Sequence, residues 1–277
     1  MQQFLNGVQS GMGYICFLSL FCFLALTTAC GQDSQPDASS PPQIEDWSYW
    51  DGEVDEMSDF ELGMLLTYFY TKPRPELLPS MLGRLCVLFE QSDQEPVLEA
   101  FVASVAVAHP AHVADWLDQF EELDACAQRQ MFIGLWLASS ELEEPLKGIE
   151  GKLHPDLLGE FHWYQSSKPQ PRVPELSNSP AMHDAMWAGY FADGERGYVL
   201  AIIAGLHSED ILTQSMANWS LTSNAFQHRG VLETCIEVRD ETEDAELKTK
   251  LSAIIDEARG MIGQQECPEP EWVTDED

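Results

Sequence analysis

One recurring apolar spacing constrains this chain more than any other feature. In LEAFVASVAVAHPAHVADWLDQF, from Leu98 to Phe120, the residues Leu98, Phe101, Val102 and Val105 fall at i, i+3, i+4 and i+7 and share one side of a helix. His109 and Pro110 interrupt the pattern. Val113, Trp116, Leu117 and Phe120 then repeat it, with Asp115, Asp118 and Gln119 between them on a polar side. Two helices joined by so short a turn are expected to lie antiparallel. Shifted by 36 positions, Ser104, Val105, Val113 and Leu117 fall on Tyr68, Phe69, Leu77 and Met81; shifted by 86 the other way, they fall on Tyr190, Phe191, Val199 and Ile203. The recurrence predicts stacked helical hairpins, an irregular α-solenoid; the alternative is a chance register between amphipathic helices. No alternating strand pattern persists outside these stripes, so the expected class is all-α.

The N-terminus bears on the compartment. From Tyr14 to Leu26, YICFLSLFCFLAL, the chain is apolar, short for a bilayer span and of signal-peptide length. It runs into Thr27-Thr28-Ala29-Cys30, which resembles the lipobox of bacterial lipoproteins. The resemblance implies that residues 1–29 are a signal peptide and that Cys30 is lipidated and becomes the mature N-terminus. The match departs at Thr27, where leucine is preferred, and in the absence of Lys or Arg from residues 1–13. An uncleaved apolar anchor, or an ordinary signal cut near Ala29, are the alternatives. Gly31 after the cysteine implies, by resemblance to Gram-negative lipoproteins, the outer membrane with the body facing the periplasm.

Export changes the reading of the remaining cysteines. Cys86, Cys126, Cys235 and Cys267 would stay in the mature protein, an even number with none of the close spacing of zinc or redox sites. The expected bridges are Cys86 to Cys126 and Cys235 to Cys267; buried free thiols are the alternative.

Along the chain, residues 30–56 read as a disordered tether rich in Ser, Pro, Asp and Gln, with Trp47, Tyr49 and Trp50 near its end. Residues 57–164 form a first helical lobe, opened by a capping box at Ser58-Asp59-Phe60-Glu61. Within it, QMFIGLWLA is apolar on nearly every side and is expected to be covered all round. A second capping box at Ser140 to Glu143 is expected to start a helix through Leu142, Leu146 and Ile149. The proline-rich residues 165–180 connect to a second lobe, residues 181–263, and residues 264–277 form an acidic tail. The run Asp184, Trp187, Tyr190-Phe191-Ala192, Gly194, Val199, Ile202-Ile203 and Leu206 is similar to a pattern in uncharacterised exported helical proteins of Gram-negative bacteria. That resemblance implies a helical fold and brings no activity with it. The hairpin spacing also resembles tetratricopeptide arrays, whose Trp-Leu-Gly positions are not reproduced.

The chemistry is sparse. Fourteen basic against 47 acidic residues give a formal charge of -33, which makes nucleic acid and anionic lipid surfaces poor partners. His109 and His112 have the H-x-x-H spacing of a metal pair, but their position in a turn favours a solvated pair. Asp51, Glu53, Asp55, Glu56 and Asp59 gather acidity without an ordered calcium loop. No hydrolase, zincin or phosphate-loop motif is present, so no catalytic, cofactor or metal residue is assigned. The expectation is a non-enzymatic, membrane-anchored lipoprotein that binds or scaffolds another envelope protein. The alternative is an envelope enzyme or accessory subunit acting on cell-wall or peptide material through a cleft between the lobes.

Overall fold

Helical structure opens where a reciprocal cap permits it. The Ser58 N–H donates to the Glu61 carboxylate at 2.7 Å and the Glu61 N–H donates to Ser58 Oγ at 3.3 Å, satisfying two donors that a helix start otherwise leaves open. Helix α1, Asp59–Thr67, follows. The computed structural model describes residues 54–89, 95–169, 172 and 180–264, and among these residues the chain is all-α. The signal segment, Cys30, the tether up to residue 53, and the tail from residue 265 with Cys267 lie outside the described residues.

Two 3-10 turns, Phe69–Thr71 and Pro75–Leu77, lead into α2, Leu78–Phe89. Arg84 on α2 reaches back to the start of the body, donating to the carbonyls of Val54 and Met57 and pairing with Asp59 at 2.8 Å. Helices α3, Glu95–Ala108, and α4, Val113–Gln119, carry the two stripes described above. They do not form an antiparallel hairpin: the chain bends by 102° between them. The reason is local: the only break is at His109 (φ -130°, ψ 56°), and the 3-10 turn Pro110–His112 then runs on directly into α4, so no reversing loop separates the two helices. The turn is held at a distance by Trp116, which is fully buried and donates its indole N–H to the Pro75 carbonyl at 2.8 Å.

Helix α5, Ala125–Ala138, is capped by Asp124, whose carboxylate accepts the Ala127 N–H at 2.8 Å. It is covered on nearly every side, and a Cβ on Gly134 would lie 2.5 Å from Val102 on α3. The helix expected from Ser140 is absent: residues 139–149 form turns, with Glu144 at φ 47° and Gly148 at φ 85°. Pro145 explains the departure, because it has no N–H to donate and disfavours helical geometry at Glu144. Helix α6, Leu158–Ser166, completes this region.

Cys86 on α2 is bonded to Cys126 in the first turn of α5, closing a sequence separation of 40. Replacing both cysteines by serine is expected to lower stability by roughly 3 kcal/mol, chiefly by releasing the unfolded chain from that loop. Urea unfolding of the oxidised protein and the double variant checks this; coincident midpoints would contradict it.

The remaining helices are α7, Pro180–Asp193; α8, Arg196–Ala204; α9, Ile211–Gln227; α10, Arg229–Glu241; and α11, Ala245–Gln264. Two apolar cores result. One gathers residues from Val54 to Phe161, and the other gathers residues from Met186 to Ala258. The proline-rich connection is not a clean boundary between them, because α7 serves both. Ala188 and Ala192 face the first core while Met186, Trp187, Tyr190 and Phe191 face the second. The α3–α7 pairing is the most extensive helix contact, and Ala103, Ala106, Ala188 and Ala192, all fully buried, let the two helices approach closely.

Helix α8 folds back on α7 through Gly194, at φ 71°, a conformation that glycine adopts without strain. Of the expected bridge from Cys235 to Cys267, the tail cysteine lies outside the described residues. Cys235 is a free thiol with no exposed surface, packed in the second core, and burial pushes its pKa up to about 12.

Candidate functional site

The small residues that bring α3 and α7 together leave room beside them. Where α5 and α6 meet this seam there is a crevice of about 260 Å³, lined by Ala100 and Ala103 of α3, Ile133 and Trp136 of α5, Trp163 and Tyr164 of α6, and Met182 and Ala185 of α7. Its walls are mainly apolar and aromatic. The Tyr164 ring stands edge-on to Trp136 at 4.7 Å and to Trp163 at 4.8 Å, an arrangement favoured by the ring quadrupoles. Trp163 remains 61% exposed, although most large apolar side chains among the described residues are buried. Trp136 is only 7% exposed, yet its indole N–H has no hydrogen-bond acceptor among the described residues.

Arg172 closes one end of the crevice. Its guanidinium donates to the Glu141 carboxylate at 3.0 Å and to Asp193 at the end of α7, and contacts Ser104 Oγ at 3.4 Å and Tyr198 Oη at 3.3 Å. Ser104 and Tyr198 hydrogen-bond to each other at 2.6 Å, so α3 and α8 are tied at the same point. Burial opposes the positive charge, but Tyr198, Glu141 and Asp193 outweigh it and raise the Arg172 pKa. Burial raises the Tyr198 phenol to about 12, against the lowering effects of Arg172 and Ser104. Asp193 is 8% exposed in its side chain. The cluster therefore joins the connection, the first lobe and the second by charge that is matched internally.

A second polar group lies inside the second lobe. His183 Nε2 and Ser220 Oγ are 2.7 Å apart, and His228 Nδ1 is 3.0 Å from the Tyr70 hydroxyl. Burial lowers His183 to about 4 and His228 to about 3, so both are neutral at pH 7. Ser220 is 3% exposed and neither it nor His183 lines the crevice. The pair links α7 to α9 rather than presenting a nucleophile.

The residues weighed from sequence do not converge. His109 and His112 flank the short turn between α3 and α4, where burial, followed by the charge of His112, lowers His109. Asp59 is engaged by Arg84, Asp55 and Glu56 are exposed, and Asp51 and Glu53 lie outside the described residues. Among the described residues no group of three or more His, Cys, Asp or Glu side chains is placed to hold a metal ion. No single described helix is long and apolar enough to cross a membrane. The crevice and Arg172 were not marked by any motif. The available signal was one arginine in a proline-rich run within a chain that has few basic residues.

No protein-family model, curated protein or solved structure matches this chain.

Proposed function

We propose that this chain is a lipid-anchored, exported protein whose helical body binds another protein of the cell envelope through the aromatic crevice. It follows the resemblance of Thr27-Thr28-Ala29-Cys30 to a lipobox and of the Asp184 to Leu206 run to exported helical proteins. The observation that carries the binding role is Trp163, 61% exposed at the edge of an apolar crevice. Large exposed aromatics beside desolvated pockets are where binding energy concentrates at protein interfaces. The Cys86–Cys126 bridge supports the exported setting, since such bonds persist mainly in oxidising compartments.

Mass spectrometry of the mature protein is expected to find residues 1–29 removed and Cys30 acylated. Crosslinking in intact cells followed by purification is expected to recover one stoichiometric envelope partner with the wild type and to lose most of it with Trp163→Ala. An unmodified Cys30 would refute the anchor, and equal recovery with Trp163→Ala would refute the crevice as the contact.

A further inference from the structure

The Cys86–Cys126 bond is asymmetric in a way that its contribution to stability does not require. Cys86 is 5% exposed and packs in the first core, whereas Cys126 is exposed at the surface. A thiolate attacks a disulfide sulfur in line with the bond, from the side opposite the sulfur that leaves. At Cys126 that approach comes from solvent. At Cys86 it would have to come through the core. Val87, the next residue along α2, is 70% exposed, so the surface beside the bond is open on the α2 side as well.

Charge decides which thiol arrives there. Glu121, Glu122 and Asp124, all exposed, stand in the turn that leads to Cys126. The nearest basic residues along α2 and α5 are already engaged, Arg84 by Asp59 and Arg129 by Glu160 and Glu99. Within a chain of net charge -33, the field over the exposed sulfur is negative. It repels an anionic thiol and draws one that is carried beside positive charge. Cys235 takes no part, since it has no exposed surface.

We propose that the Cys86–Cys126 bond is a thiol–disulfide exchange site, entered at Cys126 by a dithiol that carries positive charge. The first thiolate of the dithiol bonds to Cys126 Sγ, and the electron pair of the broken S–S bond leaves with Cys86, which takes a proton from solvent. The second thiolate then attacks the first sulfur of the dithiol and displaces Cys126, which is protonated in turn. The dithiol ends as a disulfide and the chain as two thiols, a transfer of two electrons and two protons. Exchange unties α2 from α5, and neither cysteine lines the crevice, so this site is separate from the partner-binding reading above.

The test treats the folded, oxidised chain with cysteamine, a cationic thiol, or with mercaptoacetate, an anionic one, followed by acid quenching and mass-spectrometric mapping of each cysteine. The mixed disulfide is expected on Cys126, with Cys86 released as a thiol. Raising the salt from roughly 0.02 M to roughly 0.5 M should slow the cysteamine reaction and speed that of mercaptoacetate, each by about threefold. With cystamine, the lone thiol of Cys86→Ala should be modified about tenfold faster, or more, than the lone thiol of Cys126→Ala. Cys235 reports on folding, since it should stay unmodified until urea is added. No exchange, a mixed disulfide on Cys86, or exchange only in step with modification of Cys235 overturns the site, and salt effects of the same sign for both thiols overturn the charge preference. Loss of partner recovery with Trp163→Ala would stand whichever of these is found.

Discussion

Gly189→Ala is expected to lower stability by about 4 kcal/mol, the sum of overpacking a buried site and breaking its hydrogen bonds. On propensity alone the substitution should help, since alanine in a helix interior is favoured over glycine by about 1 kcal/mol. The packing reverses the sign. A Cβ at residue 189 would lie 2.3 Å from Cζ of Tyr198, 2.6 Å from Cε1 and 2.7 Å from its hydroxyl. The ring cannot swing aside cheaply, because Tyr198 is fully buried and its hydroxyl is held by Ser104 and Arg172. Thermal unfolding of the variant is the measurement; an unchanged or raised midpoint would show that the α7–α8 contact has more give than its geometry implies. Gly83 is the internal control, since a Cβ there meets nothing within 4 Å and Gly83→Ala should be neutral or stabilising.

A second large effect is expected from Asp184→Asn, and it should depend on pH. Asp184 is 7% exposed, and burial raises its pKa from 3.8 to about 7. A carboxyl whose folded value exceeds its unfolded one destabilises the fold when ionised. The cost is absent below pH 3.8 and grows until pH 7, where it corresponds to roughly 4 kcal/mol. His183 and His228 act in the opposite direction. Their folded values, about 4 and about 3, lie below the unfolded 6.5, so their contribution is complete above pH 6.5 and is lost as the pH falls toward those values. In the wild type the two trends oppose each other between pH 4 and pH 6.5, which flattens the stability profile. Asp184→Asn removes one of them. Its urea midpoint should exceed the wild-type midpoint clearly at pH 8 and converge with it near pH 4, leaving a steeper acid loss. A difference that stays constant across that range would mean that packing, not charge, is responsible.

Much of the helical architecture could be read from the chain because its causes are local. The Ser58–Glu61 box forms because both partners lie within one turn, and the stripes of α3 and α4 follow from spacing alone. Where spacing misled, the cause was a neighbour outside the pattern. Pro145 stops the helix that Ser140 and Glu143 would otherwise cap, and the Pro110 turn sends α4 off at 102° instead of back along α3. The crevice could not be read at all. Its walls come from Ala103, Trp136, Trp163 and Met182, on four helices, and each looks like an ordinary core residue in its own stripe. Arg172 sits in a run without periodicity, and only the fold shows that Asp193, Glu141, Ser104 and Tyr198 meet around it.

The double allegiance of α7 also sets an order of events for a chain delivered from its N-terminus. The first core lacks Ala188 and Ala192 until residues far beyond the end of α6 have arrived, so the surface of α3 that they cover stays uncovered while the connection is passing. Vectorial delivery therefore cannot finish one half before the other has begun. The early helices must wait, in a partly solvated state, for a segment that also starts the later core, and the two halves mature together rather than in succession.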